Sequence, residues 1–133
     1  MREPFETVAI GAAPVVSAPD GSEVRPLCVI PGAGSFAQFR LAAGEVAKAV
    51  VHRTVQEIWY VVRGTGEIWR RADGVTETVE LRPGVCLTIP LGTHFQFRAL
   101  GAPLEVVAAT VPPWPVSSPD EATVVDGPWE PTF

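Results

Sequence analysis

A chain of 133 residues with 47% hydrophobic and 19% charged residues is long and apolar enough to fold as one globular domain, which excludes an intrinsically disordered protein. Its formal net charge of −5 argues against nucleic acid as a partner, because nucleic acid requires a basic surface. No apolar run approaches the ~20 residues that cross a bilayer and the N-terminus carries no secretory pattern, so we expect no membrane insertion and a cytoplasmic location.

Short runs rich in β-branched and aromatic residues alternate with turn residues along the chain, which contains 14 prolines and 12 glycines. No stretch shows the 3.6-residue apolar period of a helix. The pattern predicts strands at residues 5–10, 22–30, 35–42, 46–53, 56–63, 66–71, 75–81, 85–90, 94–99 and 103–111. Many short strands in one domain of this size predict an all-β sandwich or barrel.

The turns between these strands support the prediction. Gly64 and Gly66 flank a tight turn, and Asp73-Gly74 favours the positive φ of a hairpin one strand later.

The two cysteines, Cys28 and Cys86, lie far apart in apolar surroundings without a CxxC spacing. We therefore expect two buried free thiols rather than a disulfide or a reactive pair.

The amino-acid composition of the chain changes after residue 111, where proline and acidic residues become frequent. We therefore divide the chain into a barrel over residues 1–115 and an extended tail over residues 116–133. Trp114 and Trp129 would expose a large apolar area in a free terminus, so we expect this end of the chain to pack on the barrel or on a partner subunit.

The stretch VVHRTVQEIWYVVRG, residues 50–64, contains the residues with the clearest chemical potential. Strand alternation puts Val50 and His52 on one face of their strand, and Glu57, Trp59 and Val61 on one face of the next. His52 and Glu57 are therefore predicted to point inward side by side, as a catalytic pair in an apolar pocket. Such a pair can exchange protons near neutral pH.

Glycine, proline and the His/Glu pair recur at fixed spacings in two segments. The first segment has Gly44, Val50, His52, Glu57 and Gly64, and the second has Gly84, Pro90, Gly92 and Phe95. These spacings resemble, without a gap, the two signature motifs of the cupin superfamily, G(X)5HXH(X)3,4E(X)6G and G(X)5PXG(X)2H(X)3N. The phrases HRTVQEIWYVV, CLTIPLGTHFQFR and VPPWP are also similar to those of small single-domain bacterial cupins.

The resemblance implies an all-β, single-domain cupin jelly-roll or conical barrel, often dimeric, with a site inside the barrel. In metal-binding cupins the HxH pair, the glutamate and the second-motif histidine hold the ion. Those places correspond here to Val50, His52, Glu57 and Phe95, so two of the four donors are missing. Two donors bind Fe, Zn, Mn, Ni or Cu weakly, because such sites require three or four.

His94 leaves an alternative open, because it is adjacent to Phe95. In the ungapped alignment Phe95 faces the pocket, whereas a register shifted by one residue would bring His94 inward instead. His52, Glu57 and His94 would then form a 2-His-1-carboxylate set suited to a divalent transition metal such as iron. Both histidines of the chain lie within the two motifs.

Three functions are consistent with these residues. One is a metal-free isomerase, lyase or cyclase in which His52 and Glu57 transfer protons on a small molecule, as in the metal-free epimerases among cupin relatives. The second is a metal-dependent, dioxygenase-like enzyme that uses His94 as a third ligand. The third is a non-catalytic binder of a small ligand. The resemblance also implies a homodimer, for which Trp69, Trp114 and Trp129 are interface candidates.

Overall fold

The computed structural model describes residues 4–115 and 121–133, and it consists of strands joined by short loops. The strands are β1 (Val16–Ser17), β2 (Glu23–Ile30), β3 (Gly34–Leu41), β4 (Val50–His52), β5 (Gln56–Arg63), β6 (Gly66–Ala72), β7 (Val75–Leu81), β8 (Cys86–Ile89), β9 (His94–Ala99), β10 (Leu104–Val111) and β11 (Ala122–Val124). A short 3-10 helix covers Ile10–Ala12. In the described part of the chain no helix is long and apolar enough to cross a membrane.

Two antiparallel sheets form the domain. One has the strand order β1-β2-β3-β10-β5-β8 and the other has the order β11-β4-β9-β6-β7. Neighbours in a sheet are often distant in sequence, since β10 lies between β3 and β5, and β9 lies between β4 and β6. Two facing antiparallel sheets with these crossovers are the jelly-roll that the resemblance implied.

The core lies between the sheets because one face of each strand is apolar. In β5 the side chains at positions 57, 59 and 61 are buried while those at 58, 60 and 62 are exposed, which is the period of two expected for a half-buried strand. Leu41, Ile68, Leu104 and Val106 are fully buried in this core. One glycine is required by packing: Gly64 has φ +87° and lies against the carbonyl of Pro103, so a side chain there would collide with backbone.

Several predicted boundaries differ from the structure. Residues 5–9 are irregular and lead into the 3-10 helix, so the first predicted strand is absent. The predicted strand 46–53 is regular only over Val50–His52, with a single bridge between Val46 and Arg98 before it. Strands β1 and β11 were not predicted, because two or three residues carry too little alternation to detect.

The cysteine prediction is half correct. Both thiols are free, but neither is fully buried. Cys86 is exposed because it begins β8 on the outward side of the alternation, next to the buried Leu87. Cys28 is half-buried, since it lies at an irregularity in the pairing of β2 with β3.

Residues 121–133, the described end of the predicted tail, run along the second sheet. Residues 116–120 of that tail lie outside the described residues. β11 adds to the edge of β4, and beyond it the amide of Gln96 on β9 bonds to the backbone of Trp129 through both its nitrogen (2.8 Å) and its oxygen (3.1 Å). The guanidinium of Arg98 lies 4.1 Å from the centre of the Trp129 ring. This segment therefore covers the outer side of the second sheet.

Candidate functional site

A small cavity between the two sheets contains the candidate site. His52 is the last residue of β4 and Glu57 is the second of β5, so the short connection of residues 53–55 brings their side chains together. The imidazole Nε2 lies 3.1 Å from Glu57 Oε1; the Glu57 side chain is buried and the His52 side chain is 10% exposed. The cavity is lined by Ala18, Pro19, Asp20, Phe39, Val50, His52, Glu57, Trp59, Phe95, Trp114 and Ala122.

The cavity is narrow. The empty space between the lining atoms is about 310 Å³ when counted out to the mouth. The centre of a water-sized molecule can occupy only about 20 Å³ of it. That inner volume is room for roughly one water molecule. A ligand of more than a few atoms would therefore place only part of its structure beside Glu57 and would extend toward the mouth.

Aromatic rings form part of the wall and hold the pair in place. Phe95 stacks on the imidazole of His52 with ring centres 5.6 Å apart, and it meets Trp59 edge-on at 6.0 Å. Phe39 stacks on the other side of Trp59 at 5.8 Å. Because such rings leave little freedom for movement, the orientation of the imidazole is determined by packing as well as by Glu57.

One carboxylate oxygen of Glu57 has no hydrogen-bond partner in the described part of the chain. Its Oε1 contacts His52, whereas its Oε2 is buried and makes no hydrogen bond with any described residue. A buried carboxylate oxygen without a donor is unfavourable unless a ligand or water satisfies it. Glu57 lines the cavity, so its free oxygen has a position from which it can act on a bound molecule.

A second carboxylate, Glu121, lies on the far side of His52. Its Oε1 is 3.4 Å from His52 Nδ1, which is within ion-pair distance but away from the direction of a hydrogen bond. Glu121 is itself held by the backbone N–H groups of Thr54 (3.2 Å) and Val55 (3.1 Å) and by the Thr54 hydroxyl. Burial acts to raise the pKa of Glu121, but these hydrogen bonds and His52 outweigh it and lower the pKa.

Asp20 is the third carboxylate at the site, and it enters from the loop between β1 and β2. Its Oδ1 accepts hydrogen bonds from the Ser22 N–H (2.9 Å) and hydroxyl (2.6 Å). Complete burial raises the pKa of Asp20, and the nearby charge of Glu57 adds to this against the opposing effect of Ser22. The turn is held by Phe133, whose ring lies where a side chain at Gly21 would project.

These charges act together on His52. Burial by itself would lower the pKa of His52, but the hydrogen bond and charge of Glu57, with the charges of Glu121 and Asp20, outweigh burial and raise the pKa. The imidazolium form therefore persists to higher pH than in an ordinary histidine. When it is protonated, the imidazole of His52 lies between the carboxylates of Glu57 and Glu121.

The structure separates the predicted pocket residues into two groups. Val50, Trp59 and Phe95 line the cavity, while Val61 shares the inward face of β5 but packs deeper in the core. His94 lies outside the pocket: it is opposite Val51 and Arg71 in the sheet, and its Nδ1 is 3.2 Å from the Arg71 guanidinium. The shifted register is thus wrong, because Phe95 keeps the inward position opposite Val50.

The remaining donors do not fit a transition metal. Val50 and Phe95 occupy two ligand places of the cupin motifs and provide no donor atom, and His94 points away. In residues 4–115 and 121–133, no group of three or more His, Cys, Asp or Glu side chains is arranged to hold a metal ion. The proposed set of His52, Glu57 and His94 therefore does not form, and no step of the chemistry below depends on a metal.

Sequence reasoning missed Asp20, Glu121, Phe39 and Trp114. Asp20-Gly21-Ser22 has the sequence of a turn, which predicts a bend but not the direction of the carboxylate. Trp114, which we expect to pack on the barrel or at an interface, lines the cavity, and its backbone N–H donates to the Ser35 hydroxyl at 2.9 Å. No local signal connects Glu121 to a histidine that lies 69 residues earlier in the chain.

Comparison with solved structures agrees with this architecture. Oxalate decarboxylase from Bacillus subtilis matches with a TM-score of 0.76 and 15% identity over 94% of this chain and 33% of its own. The capsular polysaccharide assembling protein CapF from Staphylococcus aureus matches with a TM-score of 0.67 and 18% identity over 86% of this chain and 35% of its own. This chain thus spans about a third of the length of these two proteins.

KdgF from Halomonas sp. is closer in size, with a TM-score of 0.66 and 19% identity over 83% of this chain and 94% of its own. At these identities the likeness shows a shared fold.

No curated protein matches the sequence. The sequence profile of the Cupin domain family matches residues 37–110, which is more than half of the chain and includes both motifs and the His52–Glu57 pair. The chain belongs to the cupin family.

Proposed function

We propose that this cupin processes a small organic molecule by proton transfer at the His52–Glu57 pair, as an isomerase, lyase or cyclase does, without a metal ion. The observation that carries the proposal is the contact of 3.1 Å between His52 Nε2 and Glu57 Oε1 in a cavity where the buried Glu57 Oε2 has no hydrogen-bond partner among the described residues. One oxygen is held and the other is free, which is the arrangement expected of an oriented general base.

Glu57 is proposed to remove a proton from the substrate through Oε2. The apolar wall formed by Phe39, Trp59 and Phe95 keeps water away from this oxygen, so its basicity is directed to the bound molecule. The proton that Glu57 accepts can return to a different atom of the substrate, which gives isomerisation. If a leaving group departs in between, the same pair gives elimination or ring closure.

His52 is proposed to act as the positive partner that keeps Glu57 oriented. Its raised pKa favours the imidazolium, whose Nε2–H donates to Glu57 Oε1. Glu121 supports the imidazolium from the Nδ1 side, in the position that an orienting carboxylate takes in many acid–base sites. Glu121 is thus a positioning residue, whereas Glu57 contacts the substrate.

The proposal is tested by hydrogen–deuterium exchange into candidate substrates. We would incubate the protein in D2O with small carbonyl compounds that carry neutral, acidic or amine substituents and detect deuterium at carbon by NMR and mass spectrometry. Exchange into at least one compound is expected, and it should fall about 100-fold or more in Glu57→Gln. Glu80→Gln, an exposed carboxylate on β7, is the matched control. Exchange that is unchanged in Glu57→Gln, or absent with every compound, would refute the proposal.

We also propose that the chain forms a homodimer through the outer face of the first sheet. Ile58, Tyr60 and Val62 are about half exposed on β5, and Phe36 and Val111 lie on the same face. The three candidate tryptophans make contacts within the chain: Trp114 lines the cavity, Trp129 lies under the Arg98 guanidinium, and Trp69 is buried with the Arg71 guanidinium over its ring. Analytical sedimentation tests this proposal. The wild type is expected to sediment as a dimer and Tyr60→Lys as a monomer, and a monomeric wild type would refute the proposal.

A further inference from the structure

The cavity combines carboxylates with aromatic rings, and this combination indicates a ligand class. Phe39, Trp59, Phe95 and Trp114 form the aromatic part of its wall. Asp20 and Glu57 contribute carboxylates, while no lysine or arginine is found among the described residues that line it. We propose that the site binds a small organic cation, such as a primary or alkylated amine, with its ammonium group beside Glu57. The inference rests on the proposed function for the location of the reacting group.

The charge of the cluster favours a cation in each protonation state considered. Glu57 and Glu121 face the single imidazole of His52 from opposite sides. When His52 is protonated and Asp20 is neutral, the two ionised glutamates still leave the cluster with a net formal charge of −1. A carboxylate or phosphate ligand would bring a further negative charge into an apolar cavity without a basic partner, which is strongly unfavourable.

The second observation is the unsatisfied oxygen of Glu57. Glu57 is only 4% exposed, and its Oε2 accepts no hydrogen bond from the described protein. An ammonium group supplies both the missing donor and a compensating charge. A neutral hydroxyl would supply the donor alone and would leave the charge uncompensated.

The aromatic rings complete the recognition of a cation. Ring faces attract ammonium and alkylammonium groups electrostatically, and most strongly in sites that exclude water. The inner volume of about 20 Å³ fits an ammonium head group, so alkyl substituents on the amine would extend toward the mouth. Tryptophan provides the strongest such attraction among the side chains, and two tryptophans line this cavity.

Three probes of similar shape and different charge test the proposal: propan-2-amine, propan-2-ol and 2-methylpropanoate. Each is titrated into the full chain while NMR follows the His52 imidazole and the Trp59 indole, with His94, outside the cavity, as internal reference. The amine is expected to bind about tenfold more tightly than the alcohol, and the carboxylate is not expected to perturb the site. Equal or tighter binding of the alcohol or the carboxylate would overturn the proposal.

Variants show which groups recognise the amine. Affinity for propan-2-amine should fall about tenfold or more in Glu57→Gln and less in Asp20→Asn, and it should persist in Glu80→Gln. Unchanged affinity in both cavity variants would overturn the proposal, and the probe series on the wild type decides the matter even if Glu57→Gln does not fold. Glu57-dependent deuterium exchange that occurs only with neutral or acidic compounds would refute the proposal of a cationic ligand and leave the proton-transfer proposal standing. Amine binding without exchange into any compound would refute the proton-transfer proposal and leave the cationic ligand standing.

Discussion

Replacing Glu57 by glutamine should change the stability of this protein in a way that depends on pH. The substitution keeps the shape of the side chain but removes the charge that lies 3.1 Å from His52 Nε2. Because the His52 pKa is raised in the folded state, the stability contributed by protonated His52 is fully present below its unfolded value of 6.5. That contribution is lost as the pH rises through the higher pKa of the folded state.

The size of the effect follows from the contact. A buried hydrogen bond between charged groups contributes roughly 1.5–3 kcal/mol, so Glu57→Gln should lower the free energy of unfolding by about that amount near pH 6. With an unfolding entropy of roughly 2.1 cal/mol/K per residue, this corresponds to a decrease in Tm of about 5–11 °C for a chain of this length. Once the pH exceeds the raised folded-state pKa of His52, the imidazole is neutral, and glutamine then removes a buried charge that has lost its partner. The difference between variant and wild type should then shrink to zero or reverse.

Denaturant unfolding of the wild type and Glu57→Gln, measured from about pH 6 to pH 9, provides the test. Asp20 and Glu121 are present in both proteins, so of their contributions only the part of the Asp20 pKa shift that Glu57 causes differs between them. Glu80→Gln, which removes an exposed carboxylate of the same type, should follow the wild type at every pH. A stability difference for Glu57→Gln that does not vary with pH would refute the electrostatic coupling of the pair.

Three further outcomes follow from the structure. The double substitution Val50→His and Phe95→His restores the missing cupin donors, so elemental analysis should find about one bound transition metal per chain in the variant and little in the wild type. His94→Ala removes a side chain outside the cavity, so exchange activity should be unchanged and stability should stay within about 0.5 kcal/mol; a large loss of activity would show that His94 takes part in the site. Gly127→Ala places a methyl group against the Gln96 amide and 2.7 Å from the Ala49 Cβ, so thermal unfolding should reveal a loss of about 1–3 kcal/mol.

Much of the architecture could be read from the sequence because it depends on local patterns. Alternation of apolar and polar residues located strands such as Gln56–Arg63 and His94–Ala99 to the residue. The ungapped motif spacing also indicated that Phe95 rather than His94 faces inward, and the structure has that register. A register error of one residue would have moved the Phe95 and Phe97 rings out of the core, at a cost of several kcal/mol.

The composition of the site was decided by tertiary structure. The sequence brought His52 and Glu57 together, since they are separated by one short loop and each has an inward face set by strand alternation. Asp20 and Glu121 come from the two ends of the chain, and they meet the pair only because a turn and an edge strand close over the same end of the barrel. Local periodicity contains no information about such long-range contacts, yet these two carboxylates add to the effect of Glu57 on the pKa of His52. The sequence by itself determined a cupin barrel with an inward His–Glu pair, and the packing of the chain ends determined the electrostatic field in which that pair lies.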